Sequence, residues 1–155
     1  MEKFTIFLEI VKALNQKNIV PVLYGSLGLY RIIDQLDEIN DIDVIIPNKN
    51  LIDQFDELIK IMAEIGYKQN PYYPHGFTKG EEKIGFEPES DLTEIGINPQ
   101  KLKITEIRGS KFKELSSGDY LLVYRRNLKT WETKVEKIKR KIQTLTQKNI
   151  NKFEK

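Results

Sequence analysis

The sequence predicts an α/β or α+β layer fold, and three observations carry that reading. Up to Gly66, segments with apolar residues at helical spacing alternate with short apolar runs bounded by turn residues, in the order helix, strand, helix, strand, helix. Beyond it, Lys83 to Glu87 and Leu102 to Ile107 alternate with the period of two expected of strands. The C-terminal part then returns to helical spacing.

Each element has a local justification. Phe4, Phe7, Leu8, Val11 and Leu14 share one face of a first helix, which Asn15 and Asn18 break. Ile19 to Tyr24 is a short apolar run of the kind found in buried strands, and Pro21 early in it points to an edge strand or a strand start. Gly25-Ser26 ends that strand. Leu27 to Leu36 reads as a second helix, with Leu29, Ile32, Ile33 and Leu36 along one side. The polar connection Asp37-Glu38-Ile39-Asn40 leads into a second strand, Asp41 to Ile46, closed by Pro47-Asn48. A third helix from about Leu51 to Ile65 turns Leu51, Phe55, Leu58, Ile59 and Met62 inward and stops at Gly66.

Tyr67 to Gly80 reads as a strand end followed by a loop rich in Tyr, Pro and Gly, within which Tyr72, Tyr73 and Phe77 cover a sheet edge or line a pocket. The strand Lys83 to Glu87 is stopped by Pro88. Leu115-Ser116-Ser117-Gly118-Asp119 caps a helix through Tyr120, Leu121 and Tyr124. The final helix aligns Leu128, Trp131, Val135, Ile138, Ile142 and Leu145 on one seam, which could pack on its own domain or on a second copy as a homodimer. Lys134, Lys137, Lys139, Arg140, Lys141 and Lys148 are then its solvated face. With no repeat, low-complexity tract or linker, the 155 residues read as one domain, an α/β core over 1–115 followed by C-terminal helices over 116–150.

Composition narrows the chemistry. There are no cysteines, so disulfides, thiolate zinc sites and cysteine nucleophiles are excluded together. His75 is the only histidine and sits in the turn Pro74-His75-Gly76, which argues for a surface or edge position and against a histidine-rich metal site. The longest clean apolar stretch, Ile19 to Tyr24, is far too short to cross a membrane. The opening segment, interrupted by Glu9 and Lys12, is not read as a signal peptide, and the expected setting is cytoplasmic. The net charge of +2 hides an uneven distribution. Residues 1–128 carry 16 basic and 20 acidic side chains, whereas residues 129–155 carry 9 basic and 3 acidic.

The chemically informative stretch is Tyr24-Gly25-Ser26-Leu27 with Asn40-Asp41-Ile42-Asp43-Val44. Alternate residues of a strand share a face, so Asp41 and Asp43 point the same way. Two carboxylates side by side repel one another unless a cation or water fills the gap between them. Oxygen-only ligands suit Mg²⁺ (or Mn²⁺), which completes its shell with water and substrate phosphates. A glycine at a strand-to-helix turn lets backbone approach a ligand closely, and the helix that follows offers free N–H groups to phosphate.

These residues carry a family resemblance. Val22-Leu23-Tyr24-Gly25-Ser26-Leu27-Gly28-Leu29-Tyr30, followed by Asn40-Asp41-Ile42-Asp43-Val44-Ile45-Ile46-Pro47, resembles the signature of the nucleotidyltransferase superfamily, the fold of polymerase β. That signature is a hydrophobic strand, Gly-Ser or Gly-Gly, a helix, and Asp-x-Asp or Asp-x-Glu on the next strand. The chain resembles above all the small bacterial members of the aminoglycoside and lincosamide type, in which the connection before the aspartates is similarly long. The resemblance implies a small mixed sheet with flanking helices and a C-terminal helical segment. It implies a nucleoside triphosphate substrate, with Asp41 and Asp43 on Mg²⁺ and Gly25 and Ser26 on the phosphates. A third carboxylate on a later strand would complete the metal site or act as base. Glu87 is the first candidate, with Glu89 and Asp91 as competitors.

Other readings stand beside this one. Gly-Ser before a helix and Asn-Asp-x-Asp at a strand start are also ordinary turn and cap sequences. The chain could keep the fold without turnover, as a nucleotide sensor or protein-binding module. The basic C-terminal helix could contact nucleic acid. The hydroxyl acceptor, whether drug, sugar, protein or RNA, is left open.

Overall fold

The computed structural model describes residues 2–33, 39–130 and 139–147, with the side chains of 128–130 excepted. The described elements are α1 (Lys3–Asn15), β1 (Val22–Tyr24), α2 (Gly25–Tyr30), β2 (Ile42–Ile46), α3 (Asn48–Ile52), α4 (Phe55–Glu64), β3 (Lys68–Gln69), β4 (Gly76–Lys79), β5 (Glu82–Pro88), α5 (Ser90–Thr93), β6 (Lys103–Ile107), β7 (Ser110–Glu114), α6 (Ser117–Thr130) and a helical segment α7 over 139–147. The strands form one seven-stranded mixed sheet in the order β3-β4-β5-β2-β1-β7-β6. β1 runs antiparallel to β2 and parallel to β7, and β2 runs parallel to β5.

The period of two sorts the side chains of the central strands onto two faces. Leu23, Ile42, Val44, Ile84, Phe86 and Phe112 join Phe7, Ile10, Val11 and Leu14 of α1 and Leu58 and Met62 of α4 in one core cluster. α1 is wider in its apolar stripe than the spacing predicts, since Ile6 and Ile10 are buried as well. It is tied to β7 by polar bonds: the buried Ser110 hydroxyl donates to Leu8 O at 2.8 Å, and Asn15 both donates to Lys111 O and accepts from Lys111 N. On the other face, Val22, Ile45, Leu29, Leu92, Tyr120, Val123, Tyr124 and Leu145 form a second cluster, built with α2, α5, α6 and α7.

Several expectations need correction. β1 starts at Val22 and lies between β2 and β7, so Pro21 marks a strand start and not an edge. Its carbonyl still joins the ladder, accepting from Lys113 N at 2.8 Å. α2 begins at Gly25 itself and spans Gly25–Tyr30, while Leu36 lies outside the described residues. The helix expected from Leu51 to Ile65 is two helices, α3 and α4, parted where Gln54 leaves helical geometry at φ −117° and ψ 33°. Strands β4 and β7 were not expected at all. Leu128 is within α6, which runs through Thr130, but its side chain is outside the described set; Trp131, Lys134, Val135, Lys137, Ile138 and Lys148 are likewise outside it.

Candidate functional site

The site forms on the second face of the sheet, where β1 passes into α2. Tyr24 pairs with Asp43, and Asp43 pairs across to Gly85, so Tyr24, Asp43 and Gly85 form one row over three neighbouring strands. The next row on the same face places Val22, Ile45 and Glu87 side by side. Gly25 has a positive φ of 68°, and a Cβ on it would collide with Asp43 Oδ2. A Cβ on Gly85 would meet Asp43 Oδ1 at 3.3 Å. The Asp43 carboxylate therefore occupies a slot between two glycines, space that a side chain at either would take.

Charge accumulates around that slot. Asp91, from α5, hydrogen-bonds Glu87. Burial, the Asp91 bond and charge, and the charge of Asp43 push the Glu87 carboxyl up to about 7. The Tyr24 hydroxyl is held far above its ordinary value, first by burial and then by Asp91, Glu87 and Asp43, with Arg126 opposing. Tyr24 thus feels the charge of all three carboxylates. Arg126, from α6, donates to Asp91 O at 3.4 Å and pairs with Glu94 at 2.9 Å, so a cation closes the α5 side.

The sequence-expected residues separate into groups. Asp43 and Glu87 share the face, and Asp91 joins Glu87. Glu89 marks the end of β5 by donating its backbone N–H to Ile46 O at 3.0 Å. Asp41 is exposed, immediately before β2. Among the described residues, no three or more His, Cys, Asp or Glu side chains stand ready-grouped around a metal position. The donor chemistry nevertheless fits Mg²⁺: all candidates are carboxylates, and the part of the Glu87 shift that comes from the charges of Asp91 and Asp43 is repulsion a cation would relieve.

Ser26 is met by an unexpected partner. Lys141, from α7, donates to Ser26 Oγ at 3.0 Å. Of the three α7 residues expected on the solvated face, Lys139 and Arg140 are exposed, but Lys141 is half-buried and turned to the turn. The available signal was its place one position before Ile142 and four before Leu145, at the margin of the apolar seam. Tyr24 and Arg126 were missed too; only strand alternation, which puts Tyr24 in step with Val22, hinted at the former.

The aromatic loop is split. Phe77 is in β4 and buried, in edge contact with Phe86 at 5.6 Å, whereas Tyr72 and Tyr73 are 89% and 69% exposed and cover no edge. His75 sits at φ 64° with its ring 5.1 Å from that of Phe55.

No protein-family model matches the chain. Over 130 residues it is 35% identical to the uncharacterized protein YnaI of Bacillus subtilis (strain 168), covering 83% of each chain. The chain belongs to the YnaI family. Among solved structures it is similar to the antibiotic-resistance factor ANT(2'')-Ia in solution, with a TM-score of 0.58 at 16% identity over 99% of this chain and 95% of that one. The crystal structure of ANT(2")-Ia in complex with adenylyl-2"-tobramycin matches with the same TM-score of 0.58, at 18% identity over 89% and 86%. An antigenic nucleotidyltransferase-like protein from Paracoccidioides brasiliensis matches with a TM-score of 0.62, at 14% identity over 91% and 73%. The fold of this YnaI-family chain is accordingly the nucleotidyltransferase fold. Among its described residues, no helix is long and apolar enough to cross a membrane.

Proposed function

We propose that the protein is a Mg²⁺-dependent nucleotidyltransferase, which passes a nucleoside monophosphate from a nucleoside triphosphate to a hydroxyl of an acceptor. The observation that carries this reading is the seating of the Asp43 carboxylate against Gly25 of the β1–α2 turn, on the face that also bears Glu87. Phosphates bound at Gly25 and Ser26 would lie within reach of that carboxylate. The likeness to ANT(2")-Ia, whose crystal structure holds adenylyl-2"-tobramycin, supports the same class of chemistry.

In this reading Asp41 and Asp43 would hold the metal, with Glu87 either completing its ligand set or serving as base; when bound, the metal would neutralise phosphate charge. The acceptor oxygen forms a bond to the α-phosphorus as the bond to the bridging oxygen breaks, and pyrophosphate leaves. As base, Glu87 would accept the hydroxyl proton. Gly25 and Ser26 fix the phosphates, so that positioning and charge supply most of the acceleration. The test is Mg²⁺-dependent nucleoside triphosphate binding in folded Asp41→Asn and Asp43→Asn variants. Binding is expected to vanish in both; undiminished binding removes the metal assignment.

A second reading, a nucleotide-sensing or protein-binding module without turnover, draws on one observation: no ready-grouped metal ligands exist among the described residues. Pyrophosphate release in a screen of hydroxyl acceptors would exclude it.

A further inference from the structure

Phe77, Ile84 and Phe86 turn one face of β4 and β5 into the first core cluster, while the second cluster takes no described residue from either strand. The other face of β5 carries Lys83, Gly85 and Glu87, with both charged side chains exposed and Gly85 half-buried. Gly85 pairs with Asp43 on one side and with Gly76 on the other, so the row of Tyr24 and Asp43 continues as two glycines. Across those two strands the row has no side chain of its own. Tyr73 stands at its far end, with its Cβ 2.9 Å from where a Cβ on Gly76 would be, and is 69% exposed. The loop that carries it is held from within. Tyr72 N donates to Asn70 Oδ1 at 2.9 Å, Gly76 N to Tyr73 O at 3.1 Å and Asn70 N to Gly76 O at 2.8 Å. A bare strip of backbone thus runs from Asp43 to an exposed aromatic residue, about 10 Å at two strand spacings. Lys83, paired with Thr78, flanks it on one side and Glu87 on the other.

We propose that this strip seats the acceptor, and that the acceptor is a small neutral molecule whose hydroxyl is carried on a polyhydroxylated ring, with Tyr73 stacking on that ring. The inference rests on the nucleotidyl-transfer reading given above and names the acceptor class which that reading left open. In-line displacement brings the attacking oxygen to the α-phosphorus opposite the bridging oxygen that leaves. With phosphates at Gly25 and Ser26, on the β1 side of Asp43, the attack comes from the β5 side, where the strip lies. There the hydroxyl oxygen bonds to the α-phosphorus and the bond to the bridging oxygen breaks. Pyrophosphate leaves toward the turn, and the hydroxyl proton passes to Glu87 as base. A floor without side chains lets a ring lie close to backbone. Tyr73 adds an aromatic face at low entropic cost, because its loop is already held by its own hydrogen bonds. Lys83 on one flank disfavours a polycation, and Glu87 on the other disfavours an anion. A strip of about 10 Å seats one or two rings, which sets this acceptor apart from a protein or RNA hydroxyl.

The experiment compares the full-length wild type with Tyr73→Ala, Tyr73→Phe and Asp43→Asn. Binding of the four common nucleoside triphosphates in MgCl₂ is measured by equilibrium titration. Pyrophosphate release is then followed with methyl glycosides and myo-inositol, against a polyamino glycoside, a serine peptide and an RNA oligomer with a free 3′-hydroxyl. Release is expected with the neutral rings. Tyr73→Ala is expected to raise the KM for that acceptor about 5- to 30-fold, while kcat and triphosphate affinity stay within about twofold. Tyr73→Phe is expected to behave as wild type, because the ring and not the hydroxyl stacks. If Tyr73→Ala does not fold, Tyr73→Leu removes the aromatic face and makes the same comparison. Preferred turnover of the polyamino glycoside, the peptide or the RNA overturns the inference. So does an unchanged acceptor KM in the folded variant, or an equal loss of acceptor and triphosphate affinity that Tyr73→Phe does not rescue. Triphosphate binding that Asp43→Asn abolishes, with no release from any neutral ring, also overturns it and leaves the nucleotide site standing. A wild-type protein that binds no nucleotide overturns the site reading, and this inference with it.

Discussion

The Asp43 carboxylate fills the space that a Cβ on Gly25 would need, so these two residues cannot both carry side chains in the observed arrangement. Two separate demands meet at Gly25: its φ of 68° is left-handed, and its side-chain position is already taken. Gly25→Ala is expected to destabilise the protein by about 2–4 kcal/mol, combining the backbone strain with the cost of overpacking. Adding Asp43→Ala should recover the packing part and leave about 1–2 kcal/mol of strain. Urea denaturation of the two single variants and the double variant measures the coupling. Additive effects would show that the contact is not formed.

Glu87 and Asp91 share a hydrogen bond on the same face as Asp43, and the expected pH behaviour follows from the direction of the change. The folded-state pKa of Glu87 is raised, to about 7, by burial first and then by Asp91 and Asp43. A carboxyl raised on folding favours the folded state below its unfolded value, and that advantage is lost as pH rises through the folded value. Removing the charge by Glu87→Gln should therefore stabilise the metal-free protein at pH 8 relative to wild type, by no more than about 1 kcal/mol because the side chain is partly screened by solvent. At pH 4 the two proteins should unfold alike. Thermal denaturation at both pH values, with chelator present, checks this.

The same residues show what could be read without coordinates. The paired aspartates, the Gly-Ser turn and Glu87 were all visible, because strand alternation and turn chemistry are local. The elements that were missed, β4 and β7, have little local signal. β7 reads Ser110-Lys111-Phe112-Lys113-Glu114, with Phe112 its one large apolar side chain, yet it lies inside the sheet between β1 and β6. Its inward positions are filled by a hydroxyl bonded to Leu8 O and by a carboxylate bonded to Thr105 and Arg31, which a hydrophobic pattern does not reveal. Lys141 was hidden for the same reason. Its partner Ser26 is 115 positions away, and only the packing of Leu145 decides that the lysine turns inward.

Gly28 offers a packing test of how α2 is held. A Cβ there would collide with the Tyr120 hydroxyl, which donates to Leu23 O at 3.5 Å from the buried face of α6. Gly28→Ala is expected to cost about 1–3 kcal/mol by forcing apart α2 and Tyr120. Tyr120→Phe removes the offending oxygen, so the double variant should be more stable than Gly28→Ala alone. A double variant less stable than Gly28→Ala would mean that Tyr120 is held chiefly through its hydroxyl. Equilibrium unfolding in urea distinguishes the two outcomes.

Glu114 links the end of α2 to the sheet away from the carboxylate cluster, and its pH dependence has the opposite sign to that of Glu87. Burial by itself would raise its pKa, but the Thr105 hydroxyl at 2.7 Å, the Arg31 guanidinium at 2.7 Å and the charge of Lys103 outweigh that and hold the carboxyl below its ordinary value. Arg31 is fixed in turn over the Phe4 ring at 4.3 Å. A carboxyl lowered on folding stabilises the folded state above its unfolded value, and the stabilisation is lost as pH falls through the folded value. Glu114→Gln should therefore cost about 0.5–1 kcal/mol at pH 7, the range for a partly exposed pair. That cost should shrink as pH falls through the folded value, where the wild-type carboxyl takes up its proton as well. Nucleotide affinity should stay unchanged in Glu114→Gln, since the pair anchors α2 behind the turn and does not face the carboxylate cluster.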